Sequence, residues 1–322
     1  MRITRLFTLI SIVITGMAIQ PVAAQQEAQL TQSMFNRLYY NPAYAGAEGK
    51  ACGSALYRRQ WLGLEGAPES QLVSFHTPLF QERVGLGINL NRQSIGISRA
   101  LTAELSYAYR LPLGPGYLSA GLSASVRYFT EDYSDSRIIA SQDINYDPGV
   151  PIGQQSKYLP NFGVGVYYQA KRWYAGVGMP RIIESSIDFA AGGGQAREIR
   201  HLYAMGGYRI PITSMLNVHP QVLFKYLEGA PFDGDISVLL EMERQFHAGI
   251  SYRLGGNMEQ NSGESIDLLL GFWIQKQLMI GVAYDISMSK IRTYQSGTFE
   301  VMLQYCFGNR GVTTIDNPRF FE

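Results

Sequence analysis

The chain has 322 residues and a formal net charge of +1, with charged residues at only 16%, aromatics at 12% and 34 glycines. Near-neutrality without a basic run excludes an electrostatic nucleic-acid binder, and two cysteines exclude a disulfide-rich scaffold or a thiolate zinc site. So few charges, against the roughly 25% of ordinary globular domains, fit a protein that shows much of its surface to something other than water.

The first element is an export signal. Arg2 and Arg5 precede the apolar run Leu6 to Ile19, and PVAA supplies small residues for cleavage after Ala24. Residues 1–24 therefore read as a signal peptide. A retained anchor helix is the competing reading, and the short apolar run disfavours it. No later stretch approaches the ~18 apolar residues of a spanning helix, so any membrane crossing must be made by strands.

Residues 25–50 form the next unit. Its centre, QSMFNRLYYNPAYAG from Gln32 to Gly46, is aromatic and amide-rich, ends in a Pro turn and has no periodicity of its own.

From residue 51 the chain alternates with period two. In LMIGVAYDIS, Leu278, Ile280, Val282, Tyr284 and Ile286 point one way and Met279, Gly281, Ala283, Asp285 and Ser287 the other. Fourteen such segments start near residues 51, 70, 83, 100, 117, 159, 172, 200, 215, 234, 244, 264, 277 and 297. Most run about ten residues, the length of a tilted membrane strand, and an even count is what bacterial barrels require. Turns after the even-numbered segments are tight, whereas loops after segments one, five, seven, eleven and thirteen are longer. That asymmetry is the outer-membrane one, with short turns and both termini periplasmic. The expectation is an all-β, 14-stranded antiparallel transmembrane barrel over 51–307, with a periplasmic tail over 308–322. A soluble sandwich would alternate too, but it needs a charged, solvated face. Here that face is mostly Gly, Ser, Ala, Asn and Tyr.

Tyr57, Trp61, Tyr128, Trp173, Tyr174, Trp273 and Tyr305 sit near strand ends and suit interfacial girdles. Glu104, Arg110, Arg127, Arg209, Glu241, Glu243, Arg253 and Asp285 fall on the lumen face. They would either set the field of a pore or pair with a plug and with each other. Cys52 opens the first strand and Cys306 closes the last, so a seam disulfide is geometrically open to them, as are two unpaired thiols out of register. The four histidines (His76, His201, His219, His247) fall in no metal-ligand spacing, and no G-x-S-x-G elbow is present. Asp143 and Asp147 lack the ligand density of a calcium loop. No catalytic residue, metal or cofactor is indicated.

Two runs resemble the PorP/SprF family of type IX secretion system membrane proteins. In the first, Gln32, Met34, Phe35, Asn36, Asn41, Pro42, Ala43, Tyr44, Ala45 and Gly46 match, with Arg37 in place of the usual Pro. In the second, Arg58, Gln60, Trp61, Gly63, Gly66, Ala67 and Pro68 match in order. The resemblance implies a non-enzymatic outer-membrane component serving secretion or surface attachment of particular cargo, gliding adhesins among them. Its implied partners are outer-membrane lipid, the type IX machinery, periplasmic proteins and the C-terminal domains of secreted cargo. A plugged transporter for small or hydrophobic solutes is the alternative. The Gln32–Gly46 segment is expected in the periplasmic mouth as a plug or docking element, with Phe35, Tyr39 and Tyr44 buried.

Overall fold

The computed structural model describes residues 27–138, 151–189, 196–228, 233–255 and 264–307. The segment read as a signal peptide, the tail from Gly308, the Asp143–Asp147 stretch and most of the AAGGGQA loop tip lie outside the described residues.

Alternation dictates the architecture. A strand with one apolar and one small or polar face can bury the second only if the sheet curls until its edges meet. The strands are β1 (Cys52–Arg59), β2 (Glu69–Leu79), β3 (Val84–Ile95), β4 (Ser98–Leu113), β5 (Gly116–Asp132), β6 (Gln154–Ala170) and β7 (Trp173–Met179). A small ladder, β8 (Ser185–Ser186) with β9 (Arg197–Glu198), decorates the following loop. Then come β10 (His201–Tyr208), β11 (Ile210–Pro211), β12 (Leu216–Leu227), β13 (Asp233–Met242), β14 (Phe246–Leu254), β15 (Ser265–Ile274), β16 (Leu278–Ser287) and β17 (Thr298–Cys306). Without β8, β9 and the two-residue β11, these make a closed antiparallel barrel of 14 strands. Each strand pairs with its sequence neighbours, and β1 pairs with β17 from Cys52↔Cys306 to Arg59↔Phe299.

The faces fall as the alternation requires. Leu101, Leu105, Tyr107, Tyr109 and Leu111 of β4 are exposed on the outer wall, while Thr102, Glu104, Ser106, Ala108 and Arg110 are buried inside. Trp173 and Tyr305 are exposed near strand ends, where girdle residues belong. Tyr174 and Trp273 are a correction. Both turn inward, Tyr174 hydroxyl donating to Gln221 Oε1 at 2.8 Å and Trp273 Nε1 to His247 Nε2 at 3.1 Å. Glu243 is a second correction: it stands exposed in the β13–β14 turn at φ 54, not in the lumen.

β4, β5 and β6 run 16, 17 and 17 residues, longer than the about ten that a membrane crossing needs. The loop-side connection between β3 and β4 is only Gly96 and Ile97. Cys52 and Cys306 face each other at the turn-side end of the seam, 4.1 Å apart at Cα, and are disulfide-bonded in the structure.

The N-terminal segment lies inside the barrel. It forms three short 3-10 turns, Ser33–Phe35, Arg37–Tyr39 and Pro42–Tyr44. It reaches further than a plug in the turn-side mouth: Thr31 touches Asp285 and Glu300, near the loop-side ends of β16 and β17. The described chain thus begins at Glu27 in the loop-side half of the lumen and descends to the turn side. The polar lumen face leaves room there, because many of its residues are Gly or Ser.

Candidate functional site

The turn-side half is built by shape. Asn41 is fully buried and does three things at once. Its Oδ1 accepts from the Ala43 amide at 2.9 Å, capping the turn that Pro42 pre-forms. Its Nδ2 donates to the carbonyls of Val166 on β6 and Val177 on β7 at 3.0 and 3.2 Å. The wall yields to the plug through glycines. A Cβ on Gly121 would stand 2.2 Å from the Ala43 amide nitrogen, and one on Gly85 would stand 1.9 Å from the Ala45 carbonyl oxygen. Gly46 needs its left-handed φ of +70, and a Cβ there would meet Gly85 Cα at 2.9 Å.

Aromatic edges fill the remaining space. Tyr44 packs edge-on against Tyr167 and His76, with centroids at 5.3 and 5.4 Å, and Phe35 against His247 at 5.9 Å. Tyr39 and Tyr44 are buried and Phe35 is partly buried against the same core. Asn36 donates through Nδ2 to the Gln32 carbonyl and accepts from the Ser54 hydroxyl, both at 3.1 Å. Arg37, where the family's usual residue is Pro, lays its guanidinium over Tyr174 at 3.9 Å and donates to the Tyr167 hydroxyl at 3.3 Å.

The loop-side half is built by charge. Arg58 Nη2 meets Asp285 at 2.7 Å and Nη1 meets Glu300 at 3.2 Å, with all three side chains buried. Arg253 pairs with Asp235 at 2.8 Å, and lies 3.4 Å from Asp285 and 3.5 Å from Asp267. The plug is threaded through this cluster. The Thr31 and Gln32 amides donate to the two oxygens of Glu300 at 2.9 and 2.8 Å, and the Thr31 hydroxyl donates to Asp285 at 2.7 Å. Charge-assisted bonds of this kind are about twice as strong as neutral ones. Beside them, Glu27 pairs with Arg127 and Arg181 and accepts from the Tyr39 hydroxyl at 3.1 Å. Burial pushes the Glu27 carboxyl up, but the two guanidiniums outweigh it and hold the group well below the usual carboxylate range. Glu198, which shares both arginines, goes the other way because burial dominates there.

Above this network, toward the loops, the lumen contains a cavity of about 410 Å³. The second sequence run organises it. Gln60, Trp61 and Pro68 are in its wall, and the Gln60 amide donates to the Pro68 carbonyl at 2.9 Å. Gly66, at φ +70, accepts from the Gly96 amide at 2.9 Å and so ties this loop to the short β3–β4 turn. Glu27 and Gln29 of the plug are also in the wall.

The two runs therefore occupy one continuous interior, the first as plug and the second as ion anchor and chamber wall. Of the eight charges assigned to the lumen from sequence, Arg110, Arg127, Arg253 and Asp285 contact the plug, Arg110 through the Gly46 carbonyl at 2.9 Å. Glu104 bonds Asn89, and Arg209 bonds Glu241. Sequence reading missed Glu27, Thr31, Arg181, Asp235, Asp267 and Glu300. Asp235, Asp267 and Glu300 lie on inward-facing strand positions, a signal that alternation does carry. Among the described residues no group of three or more His, Cys, Asp or Glu is placed to hold a metal.

Several solved barrels are similar to the chain. The outer membrane protein Omp33 of Acinetobacter baumannii shares 8% identity over 80% of this chain and 97% of its own, with a TM-score of 0.47. A TodX deltaS2S3 mutant monoaromatic hydrocarbon channel shares 10% over 84% and 93%, at 0.48. A Pseudomonas aeruginosa FadL homologue shares 12% over 83% and 93%, at 0.43. None of the three bears on function at that distance. No curated protein matches the chain. The family profile for type IX secretion system membrane protein PorP/SprF matches residues 22–305, nearly the whole length, and the chain belongs to that family as an outer-membrane barrel component of type IX secretion.

Proposed function

We propose that this barrel is a non-enzymatic, partner-specific component that serves the secretion or surface attachment of particular cargo proteins, gliding adhesins being one class. The observation that supports this reading is the filled lumen. Residues 27–47 occupy the barrel interior and are held by backbone amides to Glu300, by buried ion pairs and by glycine-backed contacts. A solute channel needs that space open or a plug that leaves cheaply, and this one is bonded to wall strands all round the ring. The loops, placed outside by the usual barrel orientation, would meet cargo, and the turn side with the C-terminal tail would meet periplasmic machinery.

The test is deletion of the gene with its neighbours intact, followed by a census of surface and secreted proteins. Loss of a defined set of cargo is the expected result. An unchanged surface proteome together with lost uptake of one solute would overturn the reading in favour of a plugged transporter.

A further inference from the structure

The loop-side chamber has features that sealing the lumen does not use. His201 Nδ1 lies 2.9 Å from the Ile199 carbonyl, so it carries the ring proton and Nε2 is left as an acceptor. That Nε2 is buried and hydrogen-bonds nothing among the described residues, although His201 is in the chamber wall and only 5% exposed. A buried acceptor without a donor is costly to the fold.

Trp61 supplies a second sign. It stands at φ 48, and among the described residues the other positive-φ positions that are not glycine lie in the tight turns at the opposite end of the barrel. A bulky residue in that region is strained, and such strain collects at ligand sites because the surroundings must be built to hold it. Here the Trp61 amide is pinned to the Thr298 hydroxyl at 3.3 Å, with the side chain in the chamber wall beside Pro68.

Charge and size narrow the ligand. Glu27 and Glu198 are neutralised by Arg127 and Arg181, Glu69 is paired with Arg59 at 3.5 Å, and Arg99 and Glu264 elsewhere in the wall oppose each other in sign. A strongly charged ligand of either sign therefore gains little. A volume of about 410 Å³ falls at the small end of ligand sites, enough for one large side chain with flanking backbone. The plug floors the chamber, so an entering group has no way through. We propose that the chamber receives a short uncharged segment of a secreted partner polypeptide, with an aromatic or aliphatic side chain seated among Trp61, Pro68 and Phe129. This rests on the cargo reading above and names where cargo is gripped.

Two variants test it on the full-length barrel in detergent micelles, with purified C-terminal domains of secreted cargo from the same cell as probes. Trp61→Gly removes the anchor at a position whose φ suits glycine, so folding should be retained. Ala100→Trp fills the chamber from the β4 side. The expected result is at least tenfold weaker binding for each variant, with heat-modifiable gel migration unchanged from wild type. Unweakened binding by folded Trp61→Gly would overturn the chamber as the site while leaving the cargo reading intact. If no cargo domain binds the wild type, both fall. A small sugar or solute that quenches Trp61 in the wild type, with cargo binding unaffected, would make the chamber a small-molecule site and also end the proposal.

Discussion

The lower and upper halves of the lumen hold the same polypeptide segment by opposite means. Toward the turns, Asn41, Ala43, Ala45 and Gly46 press against Gly85, Gly121, Gly165 and Gly178, and the contacts are those of close packing. Toward the loops, Glu27, Thr31 and Gln32 are caught by arginines and carboxylates buried on five strands. Shape complementarity tolerates almost no added volume. Buried charge tolerates volume but not the loss of a partner. The difference teaches which substitutions each half will refuse.

The largest effect is expected from Gly121→Leu. Its Cβ would enter the plug backbone 2.2 Å from the Ala43 nitrogen, so the barrel should fail to assemble or should expel residues 27–47. Heat-modifiable migration and protease access to the plug read this directly, and a variant that assembles with a protected plug would refute sealing by shape. Next comes Arg58→Ala, which leaves Asp285 and Glu300 without their shared cation. Truncating one side of a buried pair costs about 3–5 kcal/mol, to be read from urea unfolding in detergent. Indifference to it would mean that charge does not hold the upper half.

Cys306→Ser opens the seam staple and should cost about 2–4 kcal/mol. Non-reducing mass spectrometry checks the premise, since two free thiols would remove it. Tyr40→Phe deletes the hydroxyl that accepts from the Leu30 amide at 3.2 Å, a loss of about 0.5–1.5 kcal/mol by the same unfolding assay. The smallest change belongs to Asp267→Asn. Four carboxylates (Asp235, Asp267, Asp285, Glu300) surround two guanidiniums, and Asp267 has the longest contact, 3.5 Å to Arg253. Removing its charge should shift stability by less than about 1 kcal/mol, in the stabilising direction. A large loss would show Asp267 to be an essential partner.

Alternation made the barrel legible because each strand sees one environment per face. Strand starts read from sequence fall within about two residues of the structure at nearly every position, and the exception, β6, begins at Gln154 because its extension lies beyond the alternating lipid-facing stretch. Tyr174 and Trp273 misled because an aromatic near a strand end suits either face, and only the partner decides: Gln221 and His247 lie inside. The plug was legible as a sticky segment without periodicity. Its depth was not, because the bonds that set it join Thr31 to Glu300 across 269 residues and leave no local mark. Gln60, Trp61 and Pro68 could be named from their motif, but their meeting around one cavity depends on strands far apart in the chain.

That long separation bears on how the molecule is made. Thr31 leaves the synthesising machinery early, yet its anchors sit on β16 and β17, among the last strands to be completed. Contacts between sequence ends form late, because loop closure must come before they repay its entropy. The plug's bonds to early strands, from Arg58 on β1 to those of Asn41 with β6 and β7, can form first, but its grip on Glu300 closes only as β17 finds β1. Assembly of this barrel ends at its beginning.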